Sequence, residues 1–199
     1  ILAGFLFGLG SALVITKLFY GDKVSWGTVA AMPGIVGGAV AIVVAARFFK
    51  VPLRDWLPLA VPFFCFAHAW GRLGCFFAGC CFGTPTDSFL GVQFPAASPA
   101  CDAHGPVPVH PTQLYELVLL VVMGFALQFA VPAAHHVSLY LLVYGAGRFV
   151  IEFFRGDYQV EQLWFGWVKP GQQLSLFLLP IGIALTMCLR RRFMAERQA

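Results

Sequence analysis

Three charged residues in an apolar segment have the types and spacing of an anion-binding site. Arg148, Glu152 and Arg155 follow one another at intervals of four and three residues, which predicts that they share one helix face. Glu152 can neutralise only one of the two guanidinium groups, so the face keeps a net positive charge. We expect a bound anion to supply the missing charge. The alternative is an internal ion-pair network that Asp157 or Glu116 completes.

A further arginine, Arg72, lies in the middle of another apolar stretch. An arginine at the centre of a membrane helix costs about 2.5–3.5 kcal/mol, which favours a site that uses the charge. The alternative is an arginine near a helix end whose guanidinium snorkels to the interface. His68 lies one helical turn before Arg72 and is expected to face the same cavity, although a lone histidine is often a hydrogen-bonded core residue.

The segment HPTQLYE, residues 110–116, gathers a histidine, an amide, a phenol and a carboxylate over a short stretch. Such polar density at the start of an apolar run is typical of a site that orients a ligand. Helix capping explains part of the pattern, because Pro111 suits a first helical turn and Thr112 or His110 can cap it. Capping accounts least well for Glu116.

Cysteines cluster in sequence at Cys75, Cys80 and Cys81, with Cys101 further along. Their spacing does not match the paired CxxC units of a zinc site, so no metal is predicted. On the outer side of a membrane, Cys101 could form a disulfide with Cys80 or Cys81. A thiol–disulfide function for the adjacent pair is a weaker alternative, since no CxxC motif is present.

The composition places these residues in a membrane protein. Of 199 residues, 59% are hydrophobic and 11% are charged, against about 25% charged in soluble domains. The net charge of +4 comes from short basic groups at the ends of apolar runs, a pattern that does not indicate nucleic-acid binding. A hydrocarbon core of about 30 Å requires about 20 apolar residues per helix. Runs of this kind predict six spans, at residues 1–19, 29–49, 57–77, 114–131, 137–154 and 174–189.

Basic residues predict the sidedness of these spans. Arg47, Lys50 and Arg54 follow the second span and a run of arginines follows the last, so both segments are expected in the cytoplasm. The loops at 83–111 and 156–171 then lie outside. We expect residues 1–199 to form one domain that lacks N-terminal residues, because the chain opens with Ile1 inside an apolar run.

Three segments carry a family resemblance: GRLGCFFAGCCFG at 71–83, HPTQLYE at 110–116 and YGAGRFVIEFFRGD at 144–157. Together they resemble the phosphatidylglycerol:prolipoprotein diacylglyceryl transferase family of bacterial inner-membrane enzymes. The GQQLS segment at 171–175 and the GIVGG segment at 34–38 are similar to two further elements of that family. The resemblance implies an all-α integral membrane protein of about six to seven transmembrane helices with a periplasmic loop region.

The resemblance implies transfer of a diacylglyceryl group from phosphatidylglycerol to a cysteine thiol in the lipobox of a prolipoprotein signal peptide. It implies a multi-pass protein of the bacterial inner membrane, with a cytoplasmic C-terminus, a site open to the periplasmic side and no cofactor. The alternative is a catalytically silent relative that binds phospholipid or lipobox peptide. The catalytic candidates are Arg148, Glu152, His68 and His110, and the substrate-binding candidates are Arg72, Arg155, Gln113, Tyr115, Glu116, Tyr144 and Gly83.

This chain departs from the family pattern at four positions. Cys75, Ala78 and Cys80 stand where the family usually has two amides and a carboxylate. Met32, followed by Pro33, stands where the family has the histidine usually proposed as the thiol base. We therefore expect His68, and after it His110, to accept the thiol proton.

Overall fold

The computed structural model describes residues 44, 47, 48, 50, 52–157 and 167–198. The predicted span at 1–19, Met32 and the GIVGG segment lie outside the described residues, as does most of the span at 29–49. The chain divides into two compact units, Ile1–Leu57 and Pro58–Ala199. All of the candidate site residues belong to the second unit.

The described part of the chain is helical. Its only extended pairings are isolated bridges, and no strand is formed among the described residues. Two short 3₁₀ turns, Ala133–His135 and Glu152–Phe154, flank the fourth helix. The helices are α1 (Leu53–Ala78), α2 (Pro99–His104), α3 (Thr112–Phe129), α4 (His136–Ile151) and α5 (Pro170–Gln198).

Four of the described helical segments are long and apolar enough to cross a membrane. They cover the predicted spans at 57–77, 114–131, 137–154 and 174–189, so the all-helical membrane class is confirmed. The total of six to seven spans stays a prediction. Large apolar side chains on these helices face outwards, and Phe77, Phe129 and Trp70 are each more than 70% exposed. Such surfaces suit lipid rather than water.

Glycines allow the helices to pack closely. A Cβ on Gly124 of α3 would lie 3.0 Å from the ring of Phe66 on α1, and one on Gly145 of α4 would lie 3.3 Å from Leu179 on α5. Small residues at such crossings let backbones approach, which is how helices associate in lipid. The glycines therefore determine the spacing of the helices that carry the polar residues.

A proline in α1 creates a polar contact with α4. Pro62 has no N–H to offer the carbonyl of Pro58 one turn earlier. The Nδ1 of His136 lies 2.7 Å from that carbonyl oxygen and replaces the missing donor. This contact joins the start of α4 to α1 where both would otherwise leave a polar group unpaired.

The segment between α1 and α3 is irregular, as predicted, but it has a small core of its own. Phe82, Phe94, Ala100 and Val109 are buried together, and the short helix α2 lies within the segment. Backbone hydrogen bonds of His110 with Gly83 and Thr84 hold its two ends together, and Val109 pairs with Val92 in the middle of the segment. The segment is therefore an ordered cover over the end of the helical bundle.

Candidate functional site

Glu116, in the second turn of α3, is the centre of a buried polar network. Its side chain is 1% exposed. One carboxylate oxygen lies 3.0 Å from Nη2 of Arg72 and 3.6 Å from Nε2 of His68, both on α1. The same oxygen accepts a 2.9 Å hydrogen bond from the hydroxyl of Tyr144 on α4. The other oxygen lies 3.7 Å from Nη1 of Arg148 on α4.

The structure thus brings Arg72 and Arg148 to opposite oxygens of one carboxylate. His68 shares this environment, as its spacing from Arg72 predicts. Three helices that are distant in sequence meet here, which stabilises a charge that each helix alone could not bury. Arg72, six residues before the end of α1, is therefore part of a network and does not snorkel to an interface.

Glu152 forms the second part of the network. Its carboxylate lies 2.7 Å from Nη1 of Arg148 and accepts a 2.8 Å hydrogen bond from the backbone N–H of Gly171. A Cβ at position 171 would collide with this carboxylate and with the Arg148 guanidinium, so a side chain there would displace both groups. The hydroxyl of Ser175 donates to the carbonyl of Gly171 and stabilises the first turn of α5. The GQQLS segment therefore acts as a wall of the site.

The prediction that Arg155 shares a helix face with Arg148 and Glu152 is wrong. The α-helix ends at Ile151, a 3₁₀ turn follows, and Arg155 has an extended backbone. Its guanidinium donates two hydrogen bonds to Asp157, of 2.7 and 2.6 Å. Arg155 is therefore held at the edge of the site by a carboxylate that the sequence pattern offered only as an alternative.

Lys169 is a site residue that the sequence reasoning missed. Its Nζ donates to the carbonyls of Glu152 and Arg155, at 3.0 and 2.6 Å. Burial lowers the pKa of Lys169, and the charge of Glu152 partly opposes that effect. The sequence feature that could have indicated Lys169 is its position directly before the PGQQLS segment. With Lys169, four cations face three carboxylates among the described residues of the site, Glu116, Glu152 and Asp157.

The HPTQLYE segment holds the end of α1 in place. Thr112 donates to the carbonyl of Cys81 at 2.7 Å, and Gln113 donates to that of Cys80 at 2.6 Å. The expected side-chain cap is absent, because Pro111 occupies the N-cap position and makes no side-chain hydrogen bond. The Nδ1 of His110 lies 2.9 Å from the hydroxyl of Tyr115, apart from the Glu116 network.

Gly83 is a packing residue at this end of the bundle. Its N–H donates to the carbonyl of His110, and a Cβ there would lie 2.6 Å from that oxygen and from the carbonyl of Phe154. The chain segments around positions 83, 110 and 154 therefore pass each other at backbone contact. A side chain at position 83 would separate them.

The cysteines adopt an arrangement that differs from the prediction. All six are unbridged, so the expected disulfide between Cys101 and Cys80 or Cys81 is not formed. The sulfurs of Cys75, Cys80 and Cys81 instead lie within 4.8 Å of one another. The pKa of the Cys81 thiol is lowered by its hydrogen-bonding contacts with Cys75 and Cys80, against the effect of burial. The same contacts raise the pKa of Cys80.

Three buried side-chain atoms at or beside the Glu116 network have no hydrogen-bond partner among the described residues. They are Nε of Arg72, Nδ1 of His68 and Oε1 of Gln113. Unpaired buried polar atoms are rare in native structures and mark places where a ligand or water binds. An apolar groove of about 230 Å³ lies between α1 and α3, lined by Ala69 and Leu73, the sequence neighbours of His68 and Arg72, and by Leu117 and Val121.

The fold and site define a helical membrane protein with arginines and glutamates buried between its helices. The model of the prolipoprotein diacylglyceryl transferase family matches residues 13–188, and the chain belongs to that family. It is 35% identical over 153 residues to the phosphatidylglycerol–prolipoprotein diacylglyceryl transferase of Clostridium tetani, which is 75% of this chain and 59% of that protein.

Two further relatives carry the same name. The second such protein of Clostridium perfringens is 34% identical over 155 residues, and that of Methylococcus capsulatus is 34% identical over 158 residues. Each match covers 76% of this chain and 58% of the relative. The chain thus spans a little under three fifths of the length of the curated relatives that it matches.

Proposed function

We propose that this chain transfers a diacylglyceryl group from phosphatidylglycerol to the cysteine thiol in the lipobox of a prolipoprotein signal peptide. The observation that carries the proposal is the meeting of Arg72 and Arg148 on the two oxygens of Glu116. Guanidinium groups from separate helices are thereby placed to bind one phosphodiester. The names of the similar proteins support the same reaction.

The lipid headgroup has the chemistry that the unpaired Nε of Arg72 needs. A phosphodiester oxygen accepts hydrogen bonds from guanidinium N–H groups, and such charge-assisted bonds are strong in a dry site. The apolar groove between α1 and α3 can take the start of an acyl chain.

The reaction proceeds by attack of the acceptor sulfur on the glycerol carbon that bears the phosphate. The new S–C bond replaces the C–O bond, and the bonding electrons leave with the phosphate oxygen of glycerol phosphate. Negative charge grows on that oxygen, and Arg148, held by Glu116 and Glu152, is positioned to stabilise it. Tyr144 and Glu116 then orient the arginines.

The acceptor thiol must lose its proton before it attacks, since a thiol has a pKa near 8.5 and the thiolate is the nucleophile. His68 is the first candidate for the acceptor of that proton, because it lies in the network and one of its ring nitrogens is unpaired among the described residues. His110 is the second candidate, and its Nδ1 is engaged by Tyr115.

The proposal includes a place in the cell. We place the chain in the bacterial inner membrane as a multi-pass protein with a cytoplasmic C-terminus, because arginines 190–192 follow the last span. The site, at the opposite end of α5, then opens to the periplasmic side. Its partners are phosphatidylglycerol, the signal peptide of a prolipoprotein and the surrounding bilayer, without nucleic acid.

A second candidate is a silent relative that binds phospholipid or lipobox peptide without turnover. The observation that favours it is Met32 in place of the family's histidine. A silent relative would use the same proposed anion site as the transferase. Only an assay of product formation distinguishes the two candidate functions.

The test is an assay with purified protein in vesicles that contain headgroup-labelled phosphatidylglycerol and a lipobox peptide. The expected result is released glycerol phosphate and a peptide heavier by one diacylglyceryl group, both lost in Arg148→Ala. Arg190→Ala, an exposed arginine at the far end of α5, serves as the control and keeps full activity. No thioether product from the unaltered protein contradicts the enzyme proposal and leaves the silent relative.

A further inference from the structure

The three-cysteine cluster at the end of α1 is a site that the proposed chemistry has not used. The sulfurs of Cys75, Cys80 and Cys81 lie within 4.8 Å of one another, and each residue is partly buried. The three cysteines do not form a CxxC motif, since Cys75 precedes Cys80 by five residues. Cys75 lies near the end of α1, and the turn after the helix brings Cys80 and Cys81 back to it. No other cysteine, histidine or carboxylate among the described residues joins this group.

The backbone around the cluster is held in an unusual conformation. Cys81 has a φ of 61°, in the left-handed region that costs a side-chain-bearing residue about 1–2 kcal/mol. Gly79 is left-handed as well, and the N–H of Cys80 turns back to the carbonyl of Cys75. Thr112 and Gln113 hold the carbonyls of Cys81 and Cys80. The three thiols are therefore placed before any ligand arrives.

The cluster lies directly beside the buried ion network. Cys75 follows Arg72 by three residues on α1, which is about 4.5 Å along the helix axis. Gln113, which holds Cys80, precedes Glu116 by three residues on α3, and Glu116 contacts Arg72. Cys75 is thus about one helical turn from Arg72 along the backbone of α1.

Three converging thiolates are the ligand set of a soft metal ion. Zinc binds thiolate sulfur at about 2.3 Å, which places tetrahedral sulfurs about 3.8 Å apart, so the cluster needs about 1 Å of closure. Structural zinc sites have four protein ligands, whereas catalytic sites have three and leave one position for substrate. A three-sulfur site with its fourth position open belongs to the second kind.

We propose that Cys75, Cys80 and Cys81 bind Zn²⁺ and that its open position takes the acceptor cysteine of the prolipoprotein. The second half of this proposal rests on the proposed function. A thiol that coordinates zinc gives up its proton at neutral pH, so the metal supplies the thiolate that the family's histidine would otherwise provide. The three cysteines with their metal then take over the role of the family's histidine, whose position Met32 occupies in this chain.

The step balances without an oxidant or reductant. The acceptor S–H binds zinc, and its proton passes to His68 or to solvent. The zinc-bound sulfur attacks the glycerol carbon, the S–C bond forms, and the C–O electron pair leaves with glycerol phosphate. The product is a neutral thioether, a much weaker zinc ligand than a thiolate, so it leaves the metal and frees the position for another thiol.

The metal site is tested on reduced, detergent-purified protein dialysed against micromolar Zn²⁺, with metal content measured by mass spectrometry. We expect one zinc per chain, with affinity lowered more than about 10-fold in Cys75→Ser, Cys80→Ser and Cys81→Ser. Cys101→Ser is the matched control and keeps the metal. Thermal unfolding of each apo variant checks that it is folded. Substoichiometric zinc, equal binding by all variants, or an intact-mass loss of two hydrogens that persists in reductant overturns the site.

The role in thiol activation is tested with Co²⁺ in place of zinc. A lipobox peptide is expected to raise the sulfur-to-cobalt absorption by about one third, as three sulfur ligands become four. The same peptide with serine for its cysteine leaves the spectrum unchanged. An unchanged spectrum with the cysteine peptide overturns the role.

Failure of this inference and failure of the proposed function are distinguishable. If metal-free protein forms thioether product at the full rate, the inference is wrong and the transferase proposal stands. If cobalt-substituted protein binds the peptide cysteine but zinc-loaded protein forms no product, the transferase proposal is wrong and the metal site stands. Arg148→Ala is expected to lose product and keep zinc.

Discussion

Glu116 and Arg72 form a 3.0 Å ion pair inside the helical bundle, with the Glu116 side chain 1% exposed. The pair joins α3 to α1. The proposed anion site is therefore assembled only when the helices are packed.

Replacing Glu116 by Gln is expected to destabilise the protein by about 3 kcal/mol, because Arg72 and Arg148 lose a charged partner in a buried site. Transfer activity should fall with it, since the two guanidinium groups are no longer held. Thermal unfolding in detergent and the vesicle assay measure the two effects. Asp87→Asn, which changes an exposed carboxylate in the segment between α1 and α3, is the control. An unchanged unfolding temperature in Glu116→Gln would contradict the structural role.

Replacing Gly171 by Ala is expected to lower activity by up to about 100-fold, because the new methyl group displaces the Glu152 carboxylate and the Arg148 guanidinium. Initial rates in the vesicle assay measure the effect. Gly74→Ala on α1 is the matched control, since nothing lies within 4 Å of its added Cβ. That variant should be neutral or slightly more stable, because alanine favours a helix over glycine. Equal activity of the two variants would show that Glu152 does not need its present position.

Replacing Arg148 by Lys is expected to lower activity by about 100-fold while the protein stays folded. Lysine keeps the charge, but its ammonium is a point charge on a flexible stem and lacks the planar fork of N–H donors that matches a phosphate; in Arg148 the single atom Nη1 makes both the Glu116 and the Glu152 contact. The ratio of rates in the vesicle assay, with unfolding temperature alongside, measures this. Arg190→Lys is the control. A fully active Arg148→Lys would mean that charge alone suffices at this position.

Replacing Thr112 by Val is expected to destabilise the protein by about 1–2 kcal/mol, since the carbonyl of Cys81 loses its donor in a buried setting. Zinc affinity should fall as the left-handed turn loosens. The control is Thr186→Val, whose hydroxyl donates to the Gly182 carbonyl within its own helix and can be removed at little cost. Unfolding and zinc titration of the pair measure the difference. If Thr112→Val and Thr186→Val behave alike, the turn does not depend on this hydrogen bond.

The membrane class and the four described spans follow from the sequence because each depends on local composition. Apolar runs of span length leave little choice in lipid, where every backbone group must be paired within a helix. The cost of a buried charge likewise indicated Arg72, and its spacing from Glu152 indicated Arg148, before any contact was known. The family motifs pointed to the same residues. Each of these sequence patterns depends only on residues that lie near one another in the chain.

The partners of those residues were decided by tertiary structure. The spacing of Arg155 fits a continuous helix, but the turn after Ile151 sends it to Asp157 instead. The three sulfurs meet because Gly79 and Cys81 turn the chain back at the end of α1, which cysteine spacing does not reveal. The sequence determined which charges and thiols must be buried or shielded; which of them touch was decided by helix packing, because contacts between distant residues depend on the relative placement of helices.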